Sequence, residues 1–125
     1  MSRSSRGAAV VDFVLVLGLL VPLALGVLQV ALVLFVRNTL VSAASEGARY
    51  AATADHGPAD GIARTREQLS GVLAARYADD IRARPTTIDG APAIEIVIHA
   101  EVPALGLGGP ALALHVAGHA VEERP

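Results

Sequence analysis

From Phe13 to Val36 the chain carries no charged side chain, and only Gln29, Pro22, Gly18 and Gly26 interrupt the hydrocarbon. At about 1.5 Å of rise per residue such a run reaches roughly 36 Å, more than the ~30 Å core of a bilayer requires. The pattern predicts a membrane-spanning helix over residues 13–36. Secretory signals carry a shorter apolar stretch of ~7–15 residues. Val41-Ser42-Ala43 imitates a cleavage site, but Arg37 and Asn38 stand before it, so a retained anchor is expected. Beyond Arg37, Val41, Ala44, Ala48 and Ala52 recur near every fourth position, which extends the same helix to about Thr53 with a narrow small-residue face. Asp55-His56-Gly57-Pro58 then breaks it.

A second helix is predicted over Asp60–Arg82, with Leu69, Leu73, Tyr77 and Ile81 as its apolar stripe, Val72 beside it, and Arg84-Pro85 as its stop. After Pro85 the period changes to two. Thr86–Ile88 reads as a short strand, followed by an Asp89-Gly90 turn signal. In AIEIVIHAEV, Ile94, Ile96, Ile98, Ala100 and Val102 alternate with Glu95, Val97, His99 and Glu101. Pro103 and the stretch from Gly106 to Pro110 make a loop before a second strand, ALALHVAGHAV. Setting Val102 opposite Leu112 brings Ala100 to Leu114, Ile98 to Val116 and His99 to His115, so one face of both strands is apolar. The second helix is the natural cover for that face. The expected fold is therefore α+β and membrane-anchored: a long N-terminal transmembrane helix, then a second helix packed on a small antiparallel sheet.

Composition narrows the function more than the fold. With a net charge of −2 there is no basic field for nucleic acid, and with no cysteine there are no disulfides, thiolate metal sites or thiol catalysis. Arg3 and Arg6 precede the span, and Arg37, Glu46 and Arg49 follow it. That balance favours a cytoplasmic N-terminus with the remainder exported.

Asp12 is the one acid at the start of the apolar run. In the first turn of a helix a carboxylate interacts favourably with the dipole, which accounts for it without any partner. Gly18, Pro22 and Gly26 share one stripe, the kind of small-residue face that lets helices approach closely in lipid. Gln29 needs a hydrogen-bond partner there, on a neighbouring helix or on its own backbone. Glu46 and Arg49, three apart, could pair on the surface. His99, His115 and His119, with Glu95 and Glu101 near, could hold zinc, but cross-strand polar pairs on a wet face give the same pattern. No metal or other cofactor is assigned. Gly106-Leu107-Gly108-Gly109 precedes a strand and lacks the helix a phosphate loop needs. Asp79-Asp80 reads as solvated surface at a helix end. No nucleophile constellation appears, so neither an enzymatic activity nor a small-molecule substrate is expected.

RGAAVVDF (Arg6 to Phe13), the apolar run, and AASEGARYAA (Ala43 to Ala52) together resemble the TadE-like family, the pilin-like minor subunits of tight-adherence (Tad/Flp) pilus systems. The family pattern is a glycine, small residues, an acid in the fifth place after the glycine, a hydrophobic helix, and a segment like REGARYAA. Here Asp12 stands where glutamate is usual, and Ser45 where arginine often stands. The resemblance implies cleavage by a prepilin-type peptidase between Gly7 and Ala8, and pairing of Asp12 with the new α-ammonium group of a neighbouring subunit. It also marks Glu46, Gly47, Arg49 and Tyr50 as signature residues, and offers for Glu46 and Arg49, in place of their surface pair, a contact with the C-terminal domain or another subunit. The implied organisation is a leader and N-terminal segment over 1–12, a membrane helix over 13–36 and an extracytoplasmic α+β domain over 37–125, in a bacterial cell membrane. Implied partners are the membrane, the peptidase, other pilin-like subunits and the Tad assembly machinery. The alternative is an uncleaved single-pass protein whose exported domain serves binding or accessory roles.

Overall fold

A computed structural model describes residues 3–73, 77, 79–104 and 111–123, with side chains from residue 5 onward. Helix α1, Arg3–Ala52, is a single 50-residue helix with Pro22 inside it. It is long and apolar enough to cross a membrane. Residues 5–24 are exposed along their whole length, and cover by the rest of the chain begins only near Leu25 and Gln29. Farther on, Val36, Leu40, Ala43, Ala44, Ala48 and Ala52 are buried, so the expected small-residue stripe is a packing face at Ala44, Ala48 and Ala52, whereas Val41 is exposed.

Helix α2, Pro58–Ser70, begins as its sequence dictates. Pro58 stands at the first turn, where its missing N–H costs nothing, and the Asp60 carboxylate accepts the Gly57 N–H at 2.8 Å. Its end departs from expectation. The helix stops at Ser70 with Gly71 at the cap, rather than at Arg82. Tyr77 and Ile81 are buried as predicted, but outside any α-helix, and Ile81 belongs to a strand.

That strand, β1, covers Asp80–Ile88, so the short strand expected at Thr86 starts six residues earlier, and Asp80 opens it rather than closing a helix. The residue taken as a helix stop, Pro85, lies inside β1. An edge strand tolerates it because one side of its backbone needs no ladder partner. Strands β2, Ala91–Val102, and β3, Leu112–Val121, complete an antiparallel sheet of order β1-β2-β3. Asp89 and Gly90 both take positive φ, 51° and 81°, as the two-residue turn between β1 and β2 requires. The β2–β3 register pairs Val102 with Leu112, Ala100 with Leu114, Ile98 with Val116 and His99 with His115, as alternation predicts. Of the loop expected between these strands, residues 105–110 lie outside the described residues.

Both helices cover one face of the sheet, where Ile94, Ile96, Ile98 and Val102 are buried. Strand β3 runs beside α1 in the same direction. Gly118 rests on the backbone of Ala44 and Ser45, and the Glu123 N–H reaches the Ala52 carbonyl at 2.7 Å. The β2–β3 hairpin end therefore points back along α1 toward its apolar half.

Candidate functional site

Two regions of α1 carry the residues singled out by sequence: the exposed N-terminal half, and the junction with the head. In the first, Gly7, Ala8 and Asp12 all stand on the open helix surface. A Cβ at Gly7, Gly18 or Gly26 would meet nothing within 4 Å, so the stripe through Gly18, Pro22 and Gly26 is unoccupied by the chain's own atoms. Gln29 is placed differently. Its Nε2 donates to the Pro103 carbonyl at 3.2 Å, a partner 74 residues away that helical periodicity alone does not reveal.

At the junction, EGARY forms a connected contact set on α2 and the turn before it. Glu46 pairs with Arg64 of α2 at 3.7 Å rather than with Arg49. Arg64 also reaches Glu67 at 3.7 Å and lies over the Tyr50 ring, 5.7 Å from its centroid. On its other side Tyr50 stacks on His56 at 4.1 Å, while Thr53 Oγ1 donates to the Tyr50 carbonyl and contacts His56 Nδ1 at 2.6 Å. These contacts are half-exposed, so each ion pair is worth only a few tenths of a kcal/mol to about 1 kcal/mol. Arg49 points to solvent.

Gly47 has the strongest steric requirement. A Cβ there would overlap Thr65 Oγ1 and stand 2.8 Å from the Gly61 carbonyl oxygen. Gly61 reciprocates: its Cβ would stand 2.6 Å from the Ala51 methyl and 2.8 Å from the Gly47 carbonyl. Thr65 is fully buried between the helices, and its hydroxyl donates to the Gly61 carbonyl at 2.8 Å. The α1–α2 crossing is thus a backbone-to-backbone contact between two glycines. Gly61, Thr65 and Gly118 escaped the sequence reading. The small residues at Gly61 and Thr65, four apart in a short helix, are the signal that could have found two of them.

A family model described as TadE-like protein matches residues 7–49. The N-terminal region is TadE-like. The match runs from the glycine that opens the exposed helix to Arg49, so it spans the apolar half and most of the junction and stops short of α2. It associates the TadE-like region with pilus-associated structural proteins, and with the apolar half of α1 it supports membrane anchoring. Among curated proteins and among solved structures, nothing matches the chain.

The histidines on the outer sheet face divide into two sets. His99 and His115 meet edge to face at 4.2 Å, with Asp80 Oδ2 3.7 Å from His99 Nδ1. His119 instead contacts Glu95, which is bonded on its other side by Arg84. Among the described residues no three histidine or acidic side chains form a metal-holding group. Burial alone would raise the Glu95 pKa, but the hydrogen bonds and charges of Arg84 and His119 outweigh it and hold the carboxyl below its usual 4.5.

Proposed function

We propose that this protein is a non-enzymatic minor pilin or pseudopilin of a Tad/Flp pilus, made as a precursor and cut after Gly7 by a prepilin-type peptidase. The N-terminus is cytoplasmic before cutting, and the α+β head lies outside the membrane. The observation that carries the reading is the coincidence of the TadE-like match with one uninterrupted helix whose first half is bare and whose second half packs on the head. A bare apolar helix on a folded head is what lateral packing among like subunits needs.

Asp12 then sets the axial register. A carboxylate at the edge of the hydrocarbon is costly unless it is paired, and the α-ammonium group of Ala8 on a neighbouring subunit is a matching charge. Gly18, Pro22, Gly26 and Gln29 lie on the helix that would pack beside those neighbours, and Gly18 and Gly26 leave room for close backbone approach. EGARY has a different part: it clamps α2 to the stalk so that the head rides rigidly on the helix.

Processing is tested by Gly7→Arg, which places a long charged side chain at the scissile position. The variant should accumulate at precursor size in membranes, read by immunoblot beside the wild type. Product of normal mature size from Gly7→Arg would remove the processing step from this account.

A further inference from the structure

The β2–β3 hairpin end sits at an unexpected level along α1. The Gln29–Pro103 hydrogen bond fixes the start of the connection beside residue 29. With Asp12 kept at the membrane edge, Phe13 to Gln29 accounts for about 25 Å of helix, less than the ~30 Å of hydrocarbon. Any helix tilt shortens that reach further. On this geometry Gln29, and the Pro103 carbonyl bonded to it, lie inside the far boundary of the apolar layer. Each satisfies the other's hydrogen bond where water is absent.

The chemistry of the hairpin end fits that level. From Pro103 to Leu112 the chain reads PALGLGGPAL, with no charged and no hydrogen-bonding side chain. Of its described residues, Ala111 and Leu112 are exposed, Leu112 by 48%. The opposite end of the sheet carries Asp89, Glu122 and Glu123. Pro103 and Ala111 form the hairpin-end rim of an open cleft of about 670 Å³ that is also lined by Glu101, Asp79, Asp80, His99 and His115. These charges limit the depth: immersion stops short of them, near Val102 and Leu112.

We propose that this hairpin end, carried by Pro103, Ala104, Ala111 and Leu112, dips into the edge of the lipid bilayer, so that the head touches acyl chains directly beside the helix. The proposal rests on α1 spanning the membrane, and the test separates the two. Because the chain has no cysteine, single cysteines can be introduced into the full-length protein. Ala111→Cys, Leu112→Cys, Val21→Cys and Glu122→Cys are each labelled with an environment-sensitive fluorophore in phosphatidylcholine vesicles. Vesicles with and without lipid carrying a nitroxide high on its acyl chain are then compared. Positions 111 and 112 should lose fluorescence to the nitroxide lipid as position 21 does, while position 122 should not. If position 21 is quenched but 111 and 112 behave like 122, the hairpin stays in water and the proposal is wrong. If position 21 is also unquenched, the spanning helix itself falls, and the proposal falls with it.

Discussion

Replacing Gly47 by alanine tests whether the EGARY glycine exists for the helix crossing. In an isolated helix the change is favourable by about 1 kcal/mol, because alanine loses less backbone entropy than glycine. Here the added methyl overlaps Thr65 Oγ1 and stands 2.8 Å from the Gly61 carbonyl. The threonine could rotate, but only by giving up its bond to that carbonyl, and the carbonyl itself is backbone. Relief therefore needs α1 and α2 to separate, and overpacking of this kind typically costs about 1–3 kcal/mol. Against the helix gain, the net expectation is a loss of up to about 2 kcal/mol. Thermal unfolding of the full chain in detergent, followed by near-ultraviolet dichroism of its tyrosines, measures it. Gly71→Ala is the control, since a Cβ there meets nothing within 4 Å and its backbone is right-handed. That variant should be neutral or slightly stabilising. A Gly47→Ala protein more stable than the wild type by the full ~1 kcal/mol of helix gain would refute the close crossing.

Gly118→Ala should be more damaging, by about 3 kcal/mol at the upper end of overpacking costs, because the three atoms nearest the methyl are backbone atoms of Ala44 and Ser45, which cannot rotate away; the same unfolding assay reads it. Glu95 has a folded pKa below its unfolded value, so its stabilisation is complete above about pH 4.5 and is lost as pH falls through the folded value. Glu95→Gln should flatten the stability profile below pH 4.5 by less than ~1 kcal/mol, since Arg84 and His119 are solvent-exposed. An unchanged acid limb would show that the trio contributes nothing. Asp12→Ala should insert into membranes normally yet fail to enter sheared filaments, and equal recovery in that fraction would remove its register role.

Much of the fold was legible because two periods are written plainly in the chain. The uncharged run and its small-residue continuation specify α1, and the alternation in AIEIVIHAEV and ALALHVAGHAV fixes the β2–β3 register to the residue. The second helix was overextended for an equally physical reason. Leu69, Leu73, Tyr77 and Ile81 keep a spacing of four across a helix end, and all four are buried or partly buried, but only Leu69 lies in α2. The alternation of Ile81, Arg82, Ala83 and Arg84 was the competing signal for β1. Contacts that depend on long-range approach were not legible. Nothing local marks Gln29 for Pro103, Glu46 for Arg64, or Gly118 for the α1 backbone.

The central claim is tested most directly by the intact mass and N-terminal sequence of the protein recovered from membranes and from sheared surface filaments. The account predicts an N-terminus at Ala8 and recovery in the sheared fraction. An N-terminus at Met1 or Ser2, confined to membranes, would contradict it and leave an uncleaved anchor in which Asp12, nine residues inside α1, has no α-ammonium partner.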